Sequence, residues 1–144
     1  MFCTSDFYDY CTSNDVDVIP FDRLPAMAAT VRYQGFYSVG VNFSKVHSIR
    51  TLRTALMHES GHLRTGALHK VYSPYQIIQQ SEYRADADSF QRYLPPNEIR
   101  HAMENGFCSP CELAEYFDLD ESYIKKALHY WTECRGVNFN SMAG

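Results

Sequence analysis

One change of period divides the chain. From Tyr37 to Phe43 the apolar residues alternate: Tyr37, Val39, Val41 and Phe43 are separated by smaller or polar residues. That is the spacing of a strand with one covered face. Past Asn42, Ile49, Leu52, Leu56 and Leu63 lie at near-helical intervals. A helix is therefore predicted over residues 46–64, started by Ser44 or Ser48. The strand signals all precede it, and the segments after it read as helices. A small sheet followed by helices is an α+β order. The 144 residues are enough for one domain with a core and few for two. The expectation is one domain over 1–144, with its core in 16–94 and a helical C-terminal part in 96–132.

The other elements follow from local signals. "VDVIPF" (16–21) is short and β-branched, with Pro20 marking an edge strand. Residues 26–33 and 36–43 flank Gln34-Gly35 and read as a hairpin. Residues 4–13 read as a poorly formed helix or an arm. "SPYQIIQQSEYRADADSFQRYL" predicts a second helix, with Ser73 as N-cap and Pro74 in the first turn. "PPNEIRHAMENG" predicts a third, stopped by Gly106. In "SPCELAEYF", Ser109 and Glu112 have capping-box spacing. "DESYIKKALHYW" predicts the last helix, and the final dozen residues read as frayed.

The first predicted helix carries "MHESGH", with His58, Glu59 and His62 in the order H-E-x-x-H. Residues four apart stand one above the other on a helix, so both imidazoles can reach one metal ion. Glu59, beside His58, can reach a water in the ion's open position and take its proton. Gly61 costs roughly 1 kcal/mol relative to Ala inside a helix, so something is expected to approach closely there. A catalytic zinc needs a third protein ligand. His69 is one candidate, although Gly66 and His69 each fall one residue late for the pattern H-E-x-x-H-x-x-G-x-x-H. Glu82 is the other. It shares a helix face with Asp86, and one of the two could ligate while its neighbour accepts a hydrogen bond from a ligand histidine. His69, Tyr72, Tyr75 and Arg84 are candidate donors to a developing oxyanion.

Residues 57–128 resemble the ImmA/IrrE-type metallopeptidases. The features that carry the resemblance are H-E-x-G-H followed by Thr65-Gly66, the E-x-x-A-D segment from Glu82 to Asp86, then "YLPPNEI" and "ELAEYFDLDESYIKKAL". The preceding "GFYSVGVN" resembles that family's strand before the zinc helix, so the likeness runs from about residue 16 to 132. It implies a minimal gluzincin fold: a three-stranded sheet on a zinc-binding helix, then several helices. It also implies one Zn2+ per chain held by His58, His62 and Glu82, with Glu59 as general base and Asp86 as acidic partner. Ser60 stands where the family often has a larger residue. The implied substrate is a helix-turn-helix repressor of a phage or mobile element, cut at a specific site.

Other classes are weighed by charge and cysteine usage. The net charge is −4, with no basic stripe, which disfavours nucleic-acid binding. The segment 109–128 reads as helix-turn-helix-like, so a DNA- or protein-binding regulator with a non-catalytic zinc site is the alternative. There, however, Glu112, Glu115, Asp118, Asp120 and Glu121 outnumber Lys125 and Lys126, a poor match to phosphate. Cys108-Ser-Pro-Cys111 has redox-type spacing but no preceding βαβ strand, so these read as packing cysteines. Five cysteines, no apolar run near ~20 residues and no basic-then-apolar start lead to the expectation of a cytoplasmic protein without disulfides.

Overall fold

A computed structural model describes residues 2–68 and 73–139. The fold is α+β, with a three-stranded mixed sheet and six α-helices. In chain order these are α1 (Thr4–Ser13), β1 (Asp17–Pro20), β2 (Ala28–Tyr33), β3 (Phe36–Val41), α2 (Ile49–Thr65), α3 (Tyr75–Tyr93), α4 (Pro96–Glu104), α5 (Pro110–Phe117) and α6 (Glu121–His129). The chain divides into two compact units at residues 89 and 90, within α3. No helix among the described residues is long and apolar enough to cross a membrane.

In the first unit the sheet order is β1-β3-β2. β2 and β3 form the expected antiparallel hairpin, and β1 joins β3 in parallel. The register aligns Val18, Val39 and Thr30 in one row and Pro20, Val41 and Ala28 in the next. Residues paired across strands share a face. Val39 and Val41 are fully buried, and α2 packs against β2, so these two mark the covered face; Phe43, the last of the alternating residues, lies past β3 and is 49% exposed. In β2 the larger apolar side chains go the other way: Val31 is 53% exposed and Tyr33 73%. Ala28 and Thr30 take the covered side, where small residues let the helix approach.

Asn42 sets the passage from strand to helix. It is buried; its amide donates to the carbonyls of Asp22 and Leu24, and its Oδ1 accepts from the Ser44 amide. A single 3-10 turn, Phe43–Lys45, follows. Helix α2 therefore starts at Ile49, three residues later than the periodicity placed it, and Ser48 is the cap, accepting from the Thr51 amide. It ends at Gly66, whose φ of +67° gives the left-handed cap that favours glycine. The N-terminal segment is a complete ten-residue helix, anchored by buried Phe7 and Cys11 against α2 and β1, where the sequence suggested a poorly formed one.

In the second unit, α4, α5 and α6 enclose Leu94, Ile99, Ala102, Leu113, Phe117, Ile124 and Ala127. The capping box is present: Ser109 Oγ accepts from the Glu112 amide and the Glu112 carboxylate from the Ser109 amide. Past α6, residues 130–139 are not frayed, and residues 140–144 of the stretch read as frayed lie outside the described residues. The chain makes one π-helical turn, Tyr130–Cys134; Trp131 Nε1 donates to the Leu94 carbonyl at 2.8 Å, and Phe139 is buried. An aromatic tail that buries its rings is held by that burial, which the spacing of polar residues did not signal.

Candidate metal centre

Helices α2 and α3 meet at Gly61. A Cβ there would lie 2.2 Å from the Ala85 carbonyl oxygen and 2.8 Å from Ser89 Oγ. The glycine inside the helix is thus explained by a close approach. Two hydrogen-bonded contacts hold the helices together beside it. Ser89 Oγ donates to the Met57 carbonyl at 2.9 Å, and Arg64 Nε to Asp88 Oδ2 at 2.6 Å. This packing brings α3's Glu82 and Asp86 over His58 and His62.

The atoms converge closely. His58 Nε2 and His62 Nε2 are 3.2 Å apart. Glu82 lies across both, with Oε2 at 2.6 Å from His58 Nε2 and Oε1 at 3.2 Å from His62 Nε2. The three groups all offer a ligand atom within 4.8 Å of one another. Two nitrogens bound tetrahedrally at zinc distances would lie about 3.3 Å apart. The spacing therefore fits one small cation.

The far side of each ring fixes its tautomer. His62 Nδ1 is 2.5 Å from the Ala67 carbonyl, which can only accept, so the hydrogen is on Nδ1. Ser81 Oγ donates to the same carbonyl and holds it in place. His58 Nδ1 is 2.7 Å from Asp86 Oδ1. In the neutral rings both Nε2 atoms are then bare lone pairs facing each other and a carboxylate. Such an arrangement calls for positive charge between them, as a metal ion or as protons.

The electrostatics agree. Burial pushes the His58 imidazolium toward losing its proton, but hydrogen bonds to Asp86 and Glu82 and the charge of Glu59 outweigh it, lifting the group to about 10. His62 is opposed by burial and by His58, yet is raised by Glu82, Glu59 and the Ala67 carbonyl. Hydrogen bonds from the two histidines hold Glu82 well below the usual carboxylate range. Metal-free, the site favours protonated histidines; a divalent cation would replace those protons.

The cluster opens into a cleft of about 420 Å3 lined by His58, Glu59, His62, Glu82, Leu68 and β2 residues from Ala28 to Val31. Glu59 is 6% exposed, and its Oε2 accepts from Thr30 Oγ1 at 2.5 Å.

The fold thus brings together His58, Glu59, His62, Glu82 and Asp86. It does not bring in two of the candidate oxyanion donors. Tyr75 is 72% exposed on the first turn of α3, where its hydroxyl accepts from Gln79. Arg84 is exposed; it lies two residues from both Glu82 and Asp86, so it sits roughly 200° around the helix from each. His69 and Tyr72 lie outside the described residues. Sequence reasoning missed the Ala67 carbonyl, which no side-chain pattern reveals. It also missed Thr30, whose signal was a hydroxyl residue on the covered face of β2.

These features define an α+β chain with a two-histidine, one-carboxylate cluster and a second carboxylate beside it. Comparison with protein-family models, curated proteins and solved structures finds no match.

Proposed function

We propose that the chain is a zinc-dependent endopeptidase. The observation that supports this most is the convergence of His58 Nε2, His62 Nε2 and the Glu82 carboxylate, with Glu59 lining the same cleft. Two imidazoles and a carboxylate are a donor set used by catalytic zinc, which keeps a further position open. A bound zinc ion would supply Lewis acidity and an acidified water. Asp86 and the Ala67 carbonyl aim the two imidazoles. Glu59 takes a proton from the attacking water as the new C–O bond forms at the peptide carbonyl. It returns that proton to the amine nitrogen as the C–N bond breaks.

The substrate class is proposed from the sequence resemblance: a helix-turn-helix regulator, cut at one site. In the second unit Glu112, Glu115 and Glu121 are exposed, and Lys125 is 3.4 Å from Glu121. This surface suits a basic partner protein better than a phosphate backbone.

The decisive experiment is metal analysis joined to turnover. The expected result is one zinc per chain after reconstitution at neutral pH. Glu59→Gln is expected to retain that zinc and lose cleavage, because the base is removed and the ligands remain. A chain that holds no transition metal, or a Glu59→Gln variant that keeps most of its turnover, contradicts the reading.

A further inference from the structure

Thr30 stands in the covered row of the sheet with Val18 and Val39 as its register neighbours. Valine would have nearly the same shape there and no polar group to satisfy. What threonine adds is a hydroxyl, and that hydroxyl donates to Glu59 Oε2 at 2.5 Å. The Glu59 carboxylate makes no other hydrogen bond among the described residues, so this contact is what ties it to the protein. The glutamate side chain has three rotatable bonds, and without a tether its carboxylate can swing among several rotamers. Strand and helix reach the contact from opposite sides: Thr30 is on β2 and Glu59 on α2, and both line the cleft beside His58, His62 and Glu82.

We propose that Thr30 is the positioning residue for Glu59. Its hydroxyl pins one carboxylate oxygen to β2 and leaves the other to face the cleft. The consequence for turnover rests on the peptidase reading above; the positioning itself does not. Thr30 hydrogen-bonds to none of the three candidate ligands, so its contribution is separable from metal binding.

Thr30→Val and Thr30→Ser separate the hydroxyl from the packing. Crystal structures of the zinc-reconstituted wild type and both variants report the Glu59 rotamer directly. The carboxylate is expected to leave β2 in Thr30→Val and to stay in Thr30→Ser. Zinc affinity from chelator competition should remain within about threefold of wild type in both, as for sites that share no partner. With the helix-turn-helix repressor encoded beside this gene as substrate, Thr30→Val should lose on the order of 10- to 100-fold in rate, the scale of a misplaced catalytic group; Thr30→Ser should recover most of it. A Glu59 rotamer unchanged in Thr30→Val overturns the proposal whatever the rates are. If the wild type cleaves nothing, the peptidase reading falls and the crystal comparison still decides the positioning. Should Thr30→Val fail to fold, Thr30→Ala carries the same structural readout.

Discussion

Asp86 and the Ala67 carbonyl decide which nitrogen of each histidine is bare, and that makes their effects distinguishable. Glu82→Ala removes a candidate ligand and should lower zinc affinity sharply. Asp86→Ala leaves all three candidate ligands and should lower it by about 10- to 100-fold through the loss of ring orientation. His69→Ala should leave the affinity nearly unchanged; a zinc titration with the opposite ranking would replace Glu82 by His69 as third ligand. The protons of the metal-free site give a pH test. His58 rises from its ordinary value near 6.5 to about 10 in the folded chain. A raised value means that the folded state binds the proton more tightly. Its stabilising effect is complete below about 6.5 and is lost as pH climbs through about 10. The melting temperature of chelator-treated protein should therefore fall across that window, while the zinc-loaded form should not follow it. Parallel curves for the two forms would show that His58 does not exchange protons for metal. At Cys11 burial pushes the thiol up to about 11. Iodoacetamide at pH 8 should therefore label exposed Cys108, Cys111 and Cys134 and spare Cys11 until the chain unfolds, as read by peptide mass spectrometry.

At the scale of elements, the site depends on how closely α2 and α3 can pack. Gly61→Ala places a methyl group 2.2 Å from a backbone carbonyl oxygen, and a backbone atom cannot rotate away as a side chain can. The helices must part, carrying Glu82 and Asp86 off the histidines. Loss of about 1–3 kcal/mol is expected, the usual cost of overpacking. Zinc affinity should fall with it by at least about tenfold, since metal ligands tolerate little displacement. Urea unfolding and chelator competition measure the two. A variant with native zinc affinity would mean that the helix approach does not set the ligand geometry. The glycine was legible in the sequence as an anomaly, an unfavourable residue in a helix. Its partner was not, because nothing in the order of residues says that Ala85 passes there.

For the whole molecule the question is what a small cleft can select. One short sheet and few helices leave little room for a row of side-chain pockets. Selectivity is then expected from docking a whole partner, with remote contacts placing one bond at the site. Unfolded casein should be cut slowly. A helix-turn-helix repressor encoded beside this gene should be cut at one position, with Glu59→Gln inactive on both. Rapid many-site cleavage of casein with the repressor untouched would point to a peptidase that trims unfolded chains.

The sequence by itself determined what depends on neighbours along the chain. The change from period two to helical spacing yielded the α+β order, His58 and His62 fell one turn apart, and Ser109 with Glu112 made the capping box. These follow from backbone geometry, which any local segment obeys. Only the tertiary structure decided what depends on packing between elements. The parallel pairing of β1 with β3 needs a partner far along the chain. The outward turn of Val31 and Tyr33 is set by register, since β2 must offer its smaller residues to α2. That Glu82 and Asp86 reach the histidines while Arg84 and Tyr75 do not comes from the face of α3 that Gly61 admits. The tether from Thr30 to Glu59 joins residues 29 apart in sequence, and no local pattern connects them. Periodicity shows which residues share a face; close packing selects the elements that face meets.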